Sequence, residues 1–556
     1  MRDFHEAGAD GEGERLGGLA SPFAEARNAL AASRVAERLA ARDHTLWSPE
    51  PNEISNRLGW LDLPASMAAA AGPLAALREE VRREGLENVL LFGMGGSSLA
   101  PEVFARTFPD AEGLSLSILD STVPADVLRA ASAHDPAKTL HIVSTKSGTT
   151  PETLSLMRFF HRRAVEALGE RGAGRRFLAI TDPGSPLVAE ADRLGFRPTI
   201  LNPPDVGGRY AALSYVGLLP AALAGIDVGE ILRRARDDGF GPGVRLGALL
   251  GSAALAGRDK LTLLLSPRIA SFGDWVEQLV AESTGKSGKG ILPVVGEPLE
   301  ISGRYADDRL FVALLLAEDH SFDAGLDALA EAGRPVSVLR FADRYDLGAQ
   351  FLRWEIATAV AGHLMNIHPF DQPDVESAKA RSREVLAAFR RTGALPEERP
   401  ELVDGEIAAF GARDTDAPGA LAHFLDGLGP GGYVAIQAYL PRESGVAGAL
   451  ENLRRAVRTR TGAAVTVGWG PRFLHSTGQL HKGDGGRGLF VQFTASDPVD
   501  VAIPDGSGES SPVTFGLFKD AQALGDAQAL ADAGRRVARF RFGGAPVPSL
   551  ERLAGM

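Results

Sequence analysis

Over residues 21–43, "SPFAEARNALAASRVAERLAARD", apolar positions recur three and four apart. That spacing predicts an amphipathic helix, with Ser21 as its cap and Pro22 in the first turn. Residues 1–84 read as a helical N-terminal segment on this pattern. From residue 88 the period changes. "NVLLFGMGGSS" is a short apolar run entering a glycine turn, and "LAPEVFARTF" after it has helical spacing. Strands "LSLSILDS", "TLHIVSTKSG" and "RFLAITDPGS" then alternate with helices "PADVLRAASAH" and "TPETLSLMRFFHRRAVEAL". Alternation of this kind predicts a doubly wound parallel sheet, here over residues 85–255. A second alternating block covers 256–395, with strands "KLTLLLS" and "PVSVLRF" and helices around Glu282 and over 348–368. The polar stretch at 395–420 reads as a boundary or linker that could hold a short strand or helix. A third α/β segment, 396–556, has strands "GYVAIQAYL", "AAVTVGWG" and "LFVQFTA", helix "GALENLRRAVRTRTG" and a helix near 519–534. The fold class expected is α/β, with two parallel-sheet subdomains between a helical N-terminal segment and an α/β C-terminal one.

Composition narrows the function. The 556-residue chain carries a net charge of −12, which argues against nucleic acid as a partner. It has no cysteine, so disulfides, thiolate catalysis and cysteine-ligated zinc are excluded. The longest uncharged apolar run, residues 210–226, is short for a membrane span and contains Pro220, so it reads as a buried helix. The acidic, glycine-rich N-terminus has no apolar signal core. A cytoplasmic protein without membrane or nucleic-acid partners is expected. Only eight of the 59 basic residues are lysine, and five of these, Lys146, Lys286, Lys289, Lys379 and Lys482, fall in the glycine-rich or polar motifs below. A chain that favours arginine keeps some lysines where a compact ammonium differs from a guanidinium.

"STKSGTTPET", 144–153, follows an apolar strand and opens a helix at Pro151. Unpaired N–H groups at a helix start make an anion site, and a cap needs one hydroxyl rather than four plus Lys146. "GMGGSS", 93–98, is a second strand-to-helix glycine turn. It approaches a dinucleotide fingerprint, with Asp120 as a possible ribose acid, but Ser98 stands where the third glycine belongs. In "GGRY", Arg209 follows two glycines and is either a ligand contact or a turn residue. In "EQLVAESTGKSGKG", Gln278 and Glu282 lie four apart and so share one helix face. "HPFDQPDVESAK" has Gln372 near a turn and Lys379 about two turns into the helix expected after Pro373. His475 and His481 sit in a glycine-rich loop after a strand, where an acid–base role outweighs a metal, since no carboxylate cluster accompanies them.

In order and spacing, these motifs resemble the glucose-6-phosphate isomerase family of the sugar-isomerase (SIS) fold. The opening "DHTLWSPEPNEISNRLGWLDLP" is similar to the isomerase half of bacterial transaldolase–isomerase fusions, although the chain has no candidate barrel for the transaldolase half. The resemblance implies two SIS-type subdomains. It implies phosphate contacts from Gly96, Ser97, Thr145, Ser147 and Thr150, with Lys146 in the same loop. It makes Arg209 the stabiliser of an enediolate, Gln278 and Gln372 substrate contacts, Glu282 the catalytic base and Lys379 a ring-opening group. The matching histidine motif falls late, at His475, and order alone leaves His320, His363 and His481 open. In the family pattern this histidine comes from the neighbouring subunit, which implies a homodimer. The reaction implied is reversible conversion of glucose 6-phosphate to fructose 6-phosphate by ring opening and cis-enediolate proton transfer, without cofactor or metal. The alternatives are a non-catalytic sugar-phosphate-binding SIS protein and a dual glucose/mannose phosphate isomerase.

Overall fold

In the computed structural model, residues 12–300, 305–396, 398–505 and 510–556 are described. The elements form three main sheets and a small hairpin. The first sheet is wholly parallel and runs, edge to edge, Ser115–Leu119, Asn88–Phe92, Thr139–Ser144, Phe177–Thr181 and Ile200–Leu201. Its chain order reverses at Asn88–Phe92 and Thr139–Ser144. The two motif turns leave the carboxyl ends of those two strands, where parallel sheets open a crevice. The second sheet orders Glu12–Arg15, Val336–Phe341, Arg309–Leu316, Lys260–Leu265 and Leu292–Val295. Its last four strands are parallel, and the first is antiparallel to Val336–Phe341. The N-terminal segment is therefore not purely helical: it completes the edge of this sheet. The central strand Arg309–Leu316 is buried along its whole length.

The third sheet orders Leu402–Asp404, Ile407–Phe410, Arg536–Phe542, Gly488–Ala495, Tyr433–Tyr439 and Ala464–Trp469, the last four parallel. Part of the stretch expected as a linker is thus its two antiparallel outer strands. The preceding helix, Val375–Thr392, ends on Gly393 at φ 74°, a left-handed cap that turns the chain towards this sheet.

The packing does not respect the boundary expected at 255/256. Helix Gly241–Leu255 lies against Leu347–Leu364, with Gly243, Gly247 and Gly251 facing Ile356, Val360 and Leu364. One apolar core runs from Leu16 through Leu219 and Trp275 to Phe370. The C-terminal segment packs on both units. Phe515 and Phe518 join the core of the first sheet beside Phe92 and Phe160. Tyr433, Ala464 and Leu480 join Ala281, Leu292 and Val294 of the second. Among the described residues, no helix is long and apolar enough to cross a membrane. The apolar run at 210–226 contains the buried helix Tyr215–Leu223.

At Gly285, after the glutamate-bearing helix Phe272–Thr284, a Cβ would collide with the backbone of Leu480. Gly285→Val is expected to destabilise the protein by about 2 kcal/mol, the cost of overpacking a close backbone contact. Urea unfolding checks this, and an unchanged midpoint would contradict it.

Candidate active site

The twelve residues to which the family resemblance gives a role all line one cavity of about 360 Å³ at the carboxyl ends of the first-sheet strands. They are Gly96, Ser97, Thr145, Lys146, Ser147, Thr150, Arg209, Gln278, Glu282, Gln372, Lys379 and His475.

One wall is the hydroxyl cradle. Helix Pro151–Gly174 begins at Pro151, and Thr150 at its cap position does not bond the first-turn N–H groups. The hydroxyls pair with one another instead: Thr145 with Thr150 at 2.8 Å, and Ser147 with Thr149 at 2.9 Å. The helix N-terminus, with its partial positive charge, is left for an anion. Lys146 lines the cavity, but its ammonium is held by Asp182 and donates to the Pro204 carbonyl at 2.9 Å.

The opposite wall is helix Phe272–Thr284. The four-residue spacing brings Gln278 and Glu282 together, and Gln278 Nε2 donates to Glu282 Oε2 at 3.0 Å. Arg209 faces them from the turn Gly208–Tyr210 and pairs with Glu282 Oε1 at 3.1 Å. Its other donors go to Ser283 Oγ (2.8 Å), Gln372 Oε1 (3.0 Å) and the carbonyls of Pro369 (2.7 Å) and Asp371 (3.0 Å). Arg209 is buried at 4% exposure and Glu282 is half-buried at 13%. Lys379 is the fifth residue of helix Val375–Thr392, just over one turn in rather than two, and pairs with Glu376 at 2.9 Å.

His475 ends a single helical turn, Arg472–His475, followed by a short helix, Gly478–Gly483, where the sequence suggested loop. Its Nε2 lies 2.9 Å from Glu152 Oε1, and Glu152 also accepts from Gln522 at 2.7 Å. Burial pushes the Glu152 carboxyl up, but the attraction and hydrogen bond of His475, a backbone hydrogen bond and the charge of Lys379 together make the net shift downward. The His475 carbonyl accepts from Gln278 at 2.8 Å. Gly95, at φ 54°, makes room for this, since a Cβ there would press on the His475 carbonyl and the Gln278 amide. A Cβ at Gly96 would strike the backbone of Gly208. The glycines of "GMGGSS" thus fit protein backbone as well as facing the cavity.

Of the four histidines left open by sequence order, His475 is the one that lines the cavity. His320 pairs with Asp323 at the surface, His363 bonds the Leu46 carbonyl and His481 is buried among Tyr433 and Phe490. The histidine was expected from a neighbouring subunit. Within this chain His475 lines the cavity, because the C-terminal segment folds back over the crevice.

Asp120 is what anchors that return. It is fully buried, accepts from Ser98 beside the cradle (3.1 Å), and binds Arg472 (2.6 Å) and Arg442 (2.6 Å) of the C-terminal segment. Arg472 also reaches Glu102. Burial raises the Asp120 pKa, but the two guanidinium charges more than reverse this and hold the carboxyl well below its usual range. With both carboxylate oxygens taken, it is not placed to receive a ribose.

The turn after the glutamate serves the same docking. Lys286 donates to the Asp371 carbonyl and carboxylate, both at 2.6 Å, and Lys289 to the Met365 carbonyl at 2.8 Å. Gly288 N–H donates to the Gly483 carbonyl at 3.0 Å. Burial, then the charge of Arg209, brings Lys286 down to about 8. Residues that the motifs did not flag also line the cavity, among them Arg57, Asp182, Tyr210 and Phe370. Among the described residues there is no cluster of three or more side chains suited to a metal ion.

A family model described as phosphoglucose isomerase matches residues 80–234. The glucose-6-phosphate isomerase of Rubrobacter xylanophilus is 30% identical over 403 residues, covering 62% of this chain and 91% of that protein. The chain belongs to the glucose-6-phosphate isomerase family. A Thermus thermophilus family member is 33% identical over 395 residues, covering 60% of this chain and 91% of its own length. A crystal structure of a hypothetical protein from Thermus thermophilus superposes with a TM-score of 0.57 at 28% identity, covering 67% of this chain and all of that one. Against the first two relatives, more than a third of this family member lies outside the aligned region.

Replacing Asp120 with Asn takes the carboxylate from the half-buried Arg442 and leaves the buried Arg472 with Glu102 alone. A loss of about 3 kcal/mol at pH 7 is expected. The folded pKa lies below the ordinary 3.8, so this contribution is complete above 3.8 and is lost as pH falls through the folded value. Denaturant midpoints should show a constant penalty from about pH 7 to pH 5, shrinking only below about pH 4. A penalty that shrinks already at about pH 6 would contradict the assignment.

Proposed function

We propose that this cavity isomerises glucose 6-phosphate and fructose 6-phosphate reversibly, with Glu282 as the base that moves a proton between C2 and C1. The observation that carries the reading is the Glu282–Arg209 pair, 3.1 Å apart and facing the same cavity as the hydroxyl cradle.

The cradle of Ser97, Thr145, Ser147, Thr150 and the helix N-terminus takes the phosphate. That remote binding energy holds the sugar in register with the reacting carbons. The closed hexose opens first, and His475 and Lys379 exchange the protons of the ring oxygen and the C1 hydroxyl. Glu152 holds the His475 ring in place for this. Glu282 then takes the C2 proton and returns it to C1, a transfer that suits one carboxylate reaching two neighbouring carbons. Negative charge develops on the enediolate oxygens, and Arg209 remains cationic throughout. Gln278 orients both Glu282 and the His475 turn; its amide oxygen is buried without a partner among the described residues and is an acceptor for a sugar hydroxyl. The cycle as written needs no cofactor. A sensor would need the cradle alone, and four proton-handling or charge-stabilising side chains at the other wall favour an enzyme over it. The acidic charge and the lack of cysteine fit a cytoplasmic setting.

One chain supplies both walls and the histidine. The homodimer of the family pattern would then be an assembly without a part in the chemistry. Specific activity is expected to stay constant on dilution across the range where sedimentation shows any dimer dissociating; a proportional loss of activity would restore the two-chain site.

Glu282→Gln should lower kcat at least ~10²-fold while inorganic phosphate still binds. Coupled assay of fructose 6-phosphate and a phosphate thermal shift read the two effects, and near-normal turnover would reject Glu282 as the base. Arg209→Lys should also cut turnover, because a point charge replaces the planar fork.

A further inference from the structure

The cavity is lined by four basic side chains, Arg57, Lys146, Arg209 and Lys379. Three are committed to carboxylates. Lys146 is held by Asp182, Arg209 by Glu282 at 3.1 Å, and Lys379 by Glu376 at 2.9 Å. Arg57 is different. Its nearest contacts among the described residues are the Asn56 carbonyl at 3.3 Å and Glu53 at 3.5 Å, and Glu53 is 54% exposed. An ion pair that long and that solvated has little strength.

The position of Arg57 is nevertheless fixed. Ile54 before it is fully buried, Leu58 after it pairs as a bridge with Val206, and the Gly59 N–H donates to the Asp205 carbonyl at 3.0 Å. These contacts zip the segment to the loop that runs into Gly207–Arg209. Arg57 lines the same cavity as Asp182, the partner of Lys146, and as the cradle hydroxyls of Ser97, Thr145, Ser147 and Thr150.

A phosphate monoester brings about −1.5 to −2 charge at neutral pH. The cradle offers it hydroxyls and partial helix charge, while the one lysine in the loop is already neutralised by Asp182. We propose that Arg57 is the charge partner of the substrate phosphate: the guanidinium leaves Glu53 and closes as a bidentate fork on the phosphate oxygens. This makes it a substrate-binding and specificity-determining residue supplied by the N-terminal segment, outside the phosphate motif. The inference rests on the sugar-phosphate reading above.

The test compares Arg57→Met and Arg57→Lys in the full chain. Initial rates give kcat and KM for glucose 6-phosphate, competitive inhibition gives Ki for inorganic phosphate, and thermal shifts give phosphate binding without turnover. In Arg57→Met, KM and the phosphate Ki should rise together about tenfold or more, the loss expected for a charge-assisted bidentate contact, with most of the effect on KM rather than kcat. The fall of kcat/KM with added salt should become shallower. Arg57→Lys should recover part of the loss, because it restores the charge and not the fork. An unchanged KM and Ki in folded Arg57→Met overturns the proposal, and so does a fall in kcat alone. Should Arg57→Met not fold, Arg57→Lys decides: a several-fold rise in both constants supports the proposal, and no change overturns it. If the wild type does not turn over glucose 6-phosphate, the functional reading fails, while the phosphate thermal-shift midpoints of wild type and variants still decide the role of Arg57.

Discussion

A buried guanidinium with all five N–H donors occupied is the constraint on which the rest of this structure depends. Arg209 binds Glu282, Ser283 and Gln372 by side-chain atoms and Pro369 and Asp371 by their carbonyls. These acceptors belong to two separate stretches, the end of helix Phe272–Thr284 and the turn before helix Val375–Thr392. A buried cation is costly unless every donor is satisfied, so the geometry of the two stretches is fixed together. Lysine could not do this, because its ammonium has three donors and no planar fork. Lys286 adds to the same anchorage by sharing the Asp371 carbonyl with Arg209.

The second constraint is closure by the C-terminal segment. Asp120 ties that segment to the first sheet through two arginines, and Gly285 and Gly95 permit backbone contacts that larger residues would block. His475 therefore reaches the cavity from the same chain that carries the cradle and Glu282. The third sheet is not an appendage: it shares apolar cores with both other units, and the histidine turn leaves the carboxyl end of its outer parallel strand Ala464–Trp469. Completing the cavity and burying these shared cores are one event in this fold.

Much of the site was legible in the sequence, for physical reasons that can be named. Gln278 and Glu282 could be paired because a helix brings positions four apart to one face. The cradle could be recognised because its hydroxyls outnumber what a cap uses. What stayed hidden depends on contacts far apart in the chain. Glu152 meets a partner 323 positions away, and nothing in "TPET" announces that. Arg57 lies in the quoted opening stretch, but nothing there singles it out; its place comes from the pairing of Leu58 with Val206. The edge strand Glu12–Arg15, "EGER", has no apolar alternation because it is defined by hydrogen bonds to Val336–Phe341. The strand Arg309–Leu316 is so thoroughly apolar that periodicity does not separate it from buried helix. The spacing of motifs likewise carries no information on which subunit supplies a histidine. Order along the chain is the same for both arrangements.

The central claim is that Glu282, fixed by Arg209, passes a proton between two neighbouring carbons of an opened hexose phosphate. Isomerisation in deuterium oxide tests this most directly. After many turnovers, nuclear magnetic resonance should find deuterium at C1 of fructose 6-phosphate and C2 of glucose 6-phosphate, because a carboxyl exchanges its proton with solvent in some fraction of cycles. Full equilibration of the two sugars with no deuterium at either carbon would contradict the account, since hydrogen would then move without visiting an exchangeable group.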